Sequence, residues 1–327
     1  MGRRVAVTGA AGFIGAYLVR RLVEQGDHVV AIDNYLRGRP TRLASVASDI
    51  EQVDIDVRDV DAMTRTLRGA DAAFHLAAIN GTENFYRRPA LVLDVGVRGA
   101  IAVAEACLAN EVPDLVVASS AEVYQTPSVV PTPETVPMIV PDSLNPRYSY
   151  GGSKLVSELI AFNYCRDRLA KVQVFRPHNV YGPDMGWKHV IPQLVGKAQA
   201  AIANQSGSIS LQGDGSDTRA FCYVDDVVTG ILTMWQLGEP LGIYHIGADD
   251  EVTITELART IAAAAGIPEV VLTPGPAAPG GTPRRCPDIT KMRALGYEPA
   301  VTLADGVSRT TQWYLANLEP DVANTLL

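Results

Sequence analysis

Tyr150 and Lys154, in the segment YGGSK, have the residue types and spacing of an acid–base pair. At positions i and i+4 of a helix they point to one side, so the ammonium lies near the phenol. A nearby positive charge favours the phenolate and lowers the pKa of a tyrosine from about 10. Such a tyrosine can take the proton of a hydroxyl group while a hydride leaves the same carbon.

Three glycines near the N-terminus form a turn suited to a phosphate group. Gly9, Gly12 and Gly15, in TGAAGFIG, follow a strand predicted at residues 5–8 and begin a predicted helix. They permit close approach of a pyrophosphate to the helix N-terminus, where free N–H groups and the helix dipole favour an anion. The spacing is GxxGxxG rather than GxGxxG, but its strand–turn–helix context predicts a dinucleotide site.

An acidic residue ends the next predicted strand, at residues 29–32. Asp33 can accept hydrogen bonds from ribose hydroxyls and would repel a 2′-phosphate. The sequence therefore favours NAD over NADP, although Arg37 and Arg39 could pair with such a phosphate. Asp56, after the strand predicted at residues 52–55, is either a contact to the adenine end or a solvated turn residue.

A polar segment follows the strand predicted at residues 115–119, at the sheet edge where ligands of parallel sheets bind. The Ser120 hydroxyl can hydrogen-bond the reacting oxygen and orient Tyr150. Glu122 has two interpretations: a second acid or base, or a carboxylate that only complements a helix dipole.

The elements that position these residues alternate between strand and helix in the first half of the chain. Further strands are predicted at residues 72–76 and 172–175, and helices at 97–108 and 153–168, from apolar runs and helical periodicity. This alternation predicts a Rossmann-type, doubly wound α/β fold with a parallel sheet covered by helices on both faces.

The composition becomes richer in loops after about residue 180. We expect an NAD-binding domain over residues 1–180, joined by about 222–246. Residues 181–221 and 247–327 would form a smaller C-terminal substrate-binding lobe. The proline-rich segment 273–287 predicts an irregular connection.

Composition argues against several classes of protein. Of 327 residues, 47% are hydrophobic and 20% charged, which is typical of a globular protein. A net charge of -8 argues against a nucleic-acid or anionic-membrane partner. The scattered cysteines and histidines favour reduced thiols in the cytoplasm and no metal site. No apolar run is long enough to span a bilayer.

With further motifs, the chain resembles the extended short-chain dehydrogenases/reductases, specifically the NAD-dependent nucleotide-sugar epimerases and dehydratases. The resemblance covers nearly the whole chain. The motifs that carry it are TGAAGFIG, Asp33-Asn34, Asp56-Val57, HLAA, SSAEVY, YGGSK, RPHNVYGP, RAFCYVDD and PRRCPD.

The resemblance implies roles for individual residues. Ser120, Tyr150 and Lys154 match the catalytic serine or threonine, tyrosine and lysine of the family. The expected cofactor contacts are Gly9, Gly12, Phe13, Ile14, Gly15, Asp33, Asn34, Asp56, Val57, Leu76, Ala77, Ala78, Ser119, Tyr150, Lys154 and Pro177. The expected contacts to a nucleotide-diphosphate sugar are Asn80, Thr82, Ser120, Asn179, Arg219 and either Arg284 or Arg285. A homodimer through the helices near 97–108 and 153–168 is also implied.

The resemblance further implies that Tyr150 takes the C4 hydroxyl proton as NAD takes the hydride, giving a transient 4-keto sugar. An NAD-dependent nucleotide-sugar epimerase is the leading interpretation. Glu122 matches a glutamate of 4,6-dehydratases and sugar-acid decarboxylases, so either activity is the alternative. A non-catalytic NAD-sensing protein and a simple ketone reductase are less favoured.

Two positions refine this choice. Lys188, in GPDMGWK, matches a catalytic lysine of enzymes like GDP-mannose 3,5-epimerase, and with Glu122 it could invert a carbon beside the ketone. Lys188 could equally be a phosphate or solvent contact. Ala121 replaces the acidic residue of enzymes like dTDP-glucose dehydratase, which disfavours that dehydration.

Overall fold

The computed structural model describes residues 2–276 and 282–317. The strands are β1 (Arg4–Thr8), β2 (His28–Ile32), β3 (Ile50–Val53), β4 (Ala72–His75), β5 (Asp114–Ala118), β6 (Lys171–Pro177), β7 (Val180–Tyr181), β8 (Ser208–Ser210), β9 (Thr218–Ala220), β10 (Cys222–Tyr223), β11 (Ile243–Ile246), β12 (Glu251–Thr253), β13 (Val271–Thr273) and β14 (Arg284–Arg285). The helices are α1 (Phe13–Glu24), α2 (Val60–Thr66), α3 (Thr82–Arg87), α4 (Pro89–Ala109), α5 (Ser149–Cys165), α6 (Val190–Ala203), α7 (Val224–Leu237), α8 (Ile254–Ala264), α9 (Thr290–Arg293) and α10 (Leu303–Ala316).

Seven strands form one parallel sheet in the order β11-β6-β5-β4-β1-β2-β3. Val5 of β1 lies between Val29 of β2 and Ala72 of β4. The strand order therefore reverses between β1 and β4, and open α/β sheets bind ligands in the crevice at such a point. The predicted Rossmann-type fold is confirmed.

Helices on both faces explain why the strands are almost continuously apolar. Val5 and Val7 pack into one core with residues of α1 and α7. Ala6, which points to the other face, packs into a second core with residues of α4 and α5. A third core joins α6, α8 and α10 through Leu194, Leu257 and Val307.

Three predicted elements beside the site have different limits in the structure. The helix predicted at 153–168 is α5, which begins at Ser149, so Tyr150 lies in its first turn. The strands predicted to reach Leu76 and Ser119 end one residue earlier, so both residues lie in loops at the carboxyl edge of the sheet.

Beyond residue 180, the described chain contributes one strand to the central sheet, because β11 pairs with β6. The segment predicted as an irregular connection contains β14, which pairs in parallel with β9. Residues 277–281 of that segment, which include Pro279, lie outside the described residues, as do residues 318–327 of the expected lobe. Within the described ranges, no helix has the length and apolar character needed to cross a membrane.

Candidate active site

The glycine turn between β1 and α1 is closed by backbone contacts that leave no room for side chains. Gly12 donates its N–H to the Gly9 carbonyl at 3.0 Å. A Cβ on Gly15 would lie 2.1 Å from that same oxygen, and one on Gly9 would lie 2.8 Å from the Ala77 nitrogen. Gly12 precedes α1 without a side-chain cap, so N–H groups at the helix N-terminus remain available to an anion.

Asp33 follows β2 at the edge of this turn. Its carboxylate accepts hydrogen bonds from the N–H groups of Ala11, at 3.0 Å, and Tyr35, at 2.8 Å. Burial raises the pKa of Asp33, and the two N–H donors oppose that effect. Each carboxylate oxygen has more than one lone pair, so Asp33 retains acceptor capacity for ribose hydroxyls.

The predicted cofactor residues largely line one cavity along the carboxyl edge of β1, β2 and β4. Those that line it are Gly9, Gly12, Asp33, Asn34, Asp56, Val57, Leu76, Ala77 and Ala78. Phe13, Ile14 and Gly15 belong to α1, directly after the turn. The glycine cradle, the helix N-terminus and the acidic residue together fit a dinucleotide.

The Asp56 carboxylate is already engaged by neighbouring side chains. Arg58 donates to both of its carboxylate oxygens, at 2.8 and 2.7 Å, and Asn34 donates to one of them at 3.0 Å. These hydrogen bonds, led by those of Arg58, lower the pKa of Asp56 to about 2. Asp56 therefore stays ionised at the rim of the cavity, with Asn34 held beside it.

Tyr150, Ser120 and Lys154 come together where β5 meets the start of α5. The Ser120 side chain lies close enough to the Tyr150 phenol to lower its pKa, and it accepts the N–H of Glu122 at 3.1 Å. The Lys154 ammonium donates to the Ala118 carbonyl at 2.6 Å and lies 5.9 Å from the centroid of the Tyr150 ring. Of the predicted catalytic residues, Ser120, Tyr150 and Lys154 thus lie together, with Tyr150 and Lys154 buried and Ser120 half-buried.

The protonation state of Tyr150 differs from expectation. Burial raises the pKa of Tyr150 to about 12, with Ser120 and Arg37 acting in the opposite direction. The expected lowering below 10 is therefore not found in this structure, because desolvation of the phenolate, with Glu122 acting in the same direction, outweighs Ser120 and Arg37. Burial likewise lowers the pKa of Lys154 to about 8.

Glu122 is surrounded by arginines, so its carboxylate is not free to exchange a proton. Arg285 donates to it at 2.7 Å, and a guanidinium nitrogen of Arg147 lies 3.8 Å from it. Burial opposes its ionisation, but Arg285, Arg147 and Arg219 hold the pKa of Glu122 below its usual value. The cluster as a whole carries excess positive charge, which suits an anionic ligand.

Of the two arginines of the PRR segment, Arg285 faces the site and Arg284 does not. Successive residues of a strand point to opposite faces, and β14 contains only these two. The Arg284 side chain is 51% exposed and pairs with Glu251, whereas the Arg285 side chain is 15% exposed and contacts Glu122. Of the two arginines that the sequence left open, Arg285 is therefore the one that the structure places beside Glu122, and Arg284 lies outside the site.

Lys188 lies at the outer rim. Its side chain is 75% exposed and forms an ion pair with Glu83 of α3. Glu122, in contrast, is half-buried and paired with Arg285. The structure therefore does not place Lys188 and Glu122 together as the acid–base pair considered above.

The other predicted substrate contacts lie around the same edge. Asn80 is exposed, and its carbonyl accepts the guanidinium of Arg37. Thr82 begins α3 and is exposed. Pro177 ends β6, and the Asn179 amide donates to the Ala220 carbonyl at 2.9 Å, so it holds β9 near β7. Arg219 of β9 is half-buried and lies close enough to Glu122 to affect its ionisation.

Two site residues were missed by the sequence analysis. Phe85 of α3 is buried and stacks on the Tyr150 ring, with centroids 5.2 Å apart and planes 11° from parallel. Arg147 lies in the short 3₁₀ helix before α5. Its position three residues before Tyr150 was a usable signal, whereas nothing in the sequence indicates that α3 folds over the tyrosine.

Comparison with known proteins agrees with this geometry. The NAD dependent epimerase/dehydratase family model matches residues 5–247. The chain is 33% identical to UDP-glucose 4-epimerase of Mycolicibacterium smegmatis, over 95% of this chain and 98% of that protein. It is 30% identical to UDP-N-acetyl-alpha-D-glucosaminuronate decarboxylase of Bacillus cytotoxicus, over 96% and 98%.

A solved structure gives the same result. The dTDP-glucose 4,6-dehydratase of Streptomyces venezuelae, determined with NAD bound, is 30% identical and superimposes with a TM-score of 0.85, covering 99% of this chain and all of that one. The chain belongs to the NAD-dependent epimerase/dehydratase family. It is an enzyme whose cofactor is NAD.

Proposed function

We propose that this enzyme is a nucleotide-sugar 4-epimerase that works through a transient 4-keto sugar. The observation that carries the proposal is the distribution of acid–base groups. Tyr150, Ser120 and Lys154 form one cluster, while the extra candidates Glu122 and Lys188 are engaged by Arg285 and Glu83. Epimerisation at C4 needs only the first three residues.

In this mechanism the chain moves one proton. Tyr150 accepts the C4 hydroxyl proton of the sugar, and the Ser120 hydroxyl, which lies close to the phenol, orients the C4 oxygen. The Lys154 ammonium favours the phenolate. Bound NAD supplies the hydride acceptor and, on return, the hydride donor. After the keto sugar rotates in the site and presents its other face, Tyr150 returns the proton to the C4 oxygen.

The substrate we propose is a sugar linked to a nucleoside diphosphate. Arg219 and Arg285 come from β9 and β14, which are adjacent strands, and both lie near Glu122. Guanidinium groups bind phosphate oxygens in a bidentate manner, so this pair suits a diphosphate. The same arginines support the proposed substrate-binding lobe of residues 181–221 and 247–327. Asn179, Asn80 and Thr82, which lie outside that lobe, are proposed as further substrate contacts.

We further propose that two copies associate through α4 and α5. Exposed apolar side chains accompany these helices, namely Leu93 and Leu159, together with Leu144 from the loop before α5, which is 91% exposed. Leu93 and Leu144 line a groove with Pro89, Val140 and Leu155. A second copy would cover this surface, and removal of such apolar area from water favours association.

A sugar-acid decarboxylase is the second candidate. The Glu122–Arg285 pair favours it, because an arginine beside the reacting sugar can bind a carboxylate. The identity to a glucosaminuronate decarboxylase over nearly the full length of both chains agrees with this alternative.

The proposed function is tested by Tyr150→Phe with Tyr164→Phe as a matched control. Both tyrosines are in α5, but Tyr164 is exposed and distant from the cluster in sequence. Isomer formation is followed by chromatography on UDP-, GDP-, CDP- and dTDP-hexoses. We expect Tyr150→Phe to bind NAD and to lose about 10²-fold or more of turnover, with Tyr164→Phe unaffected. Full turnover in Tyr150→Phe, or no isomer from any sugar with the unmodified enzyme, would overturn the proposal.

A further inference from the structure

A buried carboxylate lies one helical turn beyond the catalytic lysine. Glu158 is at position i+4 from Lys154 in α5, so both lie on the same side of the helix as Tyr150. Its side chain is only 2% exposed. The mechanism above does not use Glu158, and an ionised carboxylate this deeply buried requires partners.

Glu158 links two strand ends to α5. Arg176 of β6, also 2% exposed, donates to it through Nε at 2.8 Å and Nη2 at 2.6 Å. The Ser119 hydroxyl, directly after β5, donates to the same carboxylate. Ser119 stands beside Ser120, and Ala118 before it supplies the carbonyl that holds the Lys154 ammonium. Glu158 therefore contacts the backbone segment that positions both catalytic partners of Tyr150.

Arg176 extends this contact further from the site. It donates to the Tyr124 hydroxyl and to the Glu134 carbonyl, the latter at 3.1 Å. Tyr124 in turn hydrogen-bonds His245 of β11 at 2.7 Å. The carboxylate is thus fixed at one end of a buried polar network that spans β5, β6 and β11.

The charges that face Lys154 have different effects on its proton. Burial lowers the pKa of Lys154, and the Glu158 carboxylate raises it. His75 of β4 is buried, and burial, with a contribution from Lys154, lowers its pKa to about 3, so it is neutral near pH 7. Tyr150, the other neighbour, is protonated and neutral in this structure. Glu158 is therefore the negative charge that offsets the desolvation of the ammonium.

We propose that Glu158 is a positioning residue for the proposed reaction: it keeps Lys154 positively charged and fixes the Ser119–Ser120 segment against Tyr150. The inference rests on the proposed function for its catalytic meaning. A buried lysine without such a partner can lose its proton near pH 5 to 6. The enzyme would then lack the ammonium that favours the phenolate.

The direct test is a titration of Lys154 followed by NMR in protein labelled with [ε-¹³C]lysine. The lysines of the chain are Lys154, Lys171, Lys188, Lys197 and Lys291, so Lys154→Arg assigns the resonance. In the unmodified protein we expect a titration midpoint near 8, and Glu158→Gln should lower it by about one unit or more. Glu158→Asp, which keeps the charge, should largely restore it.

The matched control is Asp27→Asn. Asp27 is also a buried carboxylate with two hydrogen bonds from an arginine side chain, that of Arg3, but it precedes β2 at the opposite edge of the sheet. This variant should lose stability without moving the Lys154 midpoint. An unchanged midpoint in folded Glu158→Gln would overturn the proposal. A midpoint near 6 in the unmodified protein would also overturn the proposal, and this measurement does not depend on whether a variant folds.

Turnover separates this inference from the proposed function. The alkaline limb of the kcat profile, where Lys154 loses its proton, should move to lower pH in Glu158→Gln and not in Asp27→Asn. A lowered NMR midpoint with no sugar isomerisation by the unmodified enzyme would reject the 4-epimerase function alone. Isomerisation with identical alkaline limbs in both variants would reject the role of Glu158 alone.

Discussion

Arg285 donates a hydrogen bond to Glu122 at 2.7 Å, although 163 residues separate them in sequence. The contact joins β14 of the C-terminal half to the loop that carries Ser120, and it occupies the carboxylate that the sequence offers as a second acid or base. Because the guanidinium stabilises the ionised form, Glu122 is a poor proton donor at neutral pH.

This relationship predicts that Glu122→Gln is a mild change. The amide can still accept a hydrogen bond from Arg285, and a C4 epimerisation requires no proton transfer by this residue. We expect kcat to stay within about tenfold of the unmodified enzyme, far above that of Tyr150→Phe. Steady-state kinetics on the best sugar nucleotide measures this. If the two variants lose activity equally, Glu122 moves a proton and the dehydratase or decarboxylase alternative gains support.

The two adjacent arginines of β14 should behave differently. Arg285→Ala removes a charge-assisted contact from the site, so KM for the sugar nucleotide should rise about tenfold or more. Arg284→Ala removes an exposed ion pair with Glu251 and should change KM by no more than about twofold. Comparable KM values for both variants would show that Arg285 does not hold the diphosphate.

The two glycines between Tyr150 and Lys154 provide a matched pair. A Cβ on Gly151 would lie 2.6 Å from the Glu122 carbonyl and 2.5 Å from Nε2 of Gln125, so Gly151→Ala should push α5 away and cost about 1–3 kcal/mol with a loss of kcat. On Gly152 the nearest atom is Val140 Cγ2 at 3.5 Å, so Gly152→Ala should stabilise by about 0.5–1 kcal/mol. Urea denaturation and kcat test both. The opposite order of stabilities would contradict the packing described here.

Buried neutral histidines should make the fold sensitive to acid. Burial lowers the pKa of His75 and of His245 to about 3 and that of His178 well below 6.5. The unfolded chain therefore binds more protons below about pH 6.5, so stability is fully present above that pH and is lost as pH falls towards 3. At pH 5 His75 and His245 should each cost about 2 kcal/mol relative to pH 7.

His178→Leu tests this dependence in one position. Neither ring nitrogen of His178 has a hydrogen-bond partner among the described residues, so an apolar side chain of similar size loses no contact of that kind. The free energy of unfolding should fall less between pH 7 and pH 5 in this variant than in the unmodified protein. The exposed His28→Asn serves as control and should leave the dependence unchanged. Equal acid sensitivity of all three proteins would contradict the assignment.

The sequence was most informative where local pattern determines position. The glycine turn, Asp33 and the spacing of Tyr150 and Lys154 each identified a residue by its place on a strand end or helix. Which face of β14 meets the site depends on its pairing with β9, so Arg284 and Arg285 could not be separated in advance. The positions of Phe85 and Lys188 depend on how α3 and the loop after β7 fold, which local sequence does not determine. The Tyr150 pKa depends on its burial, which the sequence does not determine either.

The measurement that tests the central claim most directly is product analysis in heavy water. The purified enzyme with NAD is incubated with UDP-, GDP-, CDP- and dTDP-sugars. The products are separated by chromatography, and their masses are measured by mass spectrometry. The account predicts an isomer that carries no deuterium on carbon, because the C4 hydride leaves and returns without exchange with solvent. Deuterium on carbon would place the inversion beside the ketone, and loss of water or carbon dioxide would establish dehydration or decarboxylation. Each of these results would contradict a simple 4-epimerase.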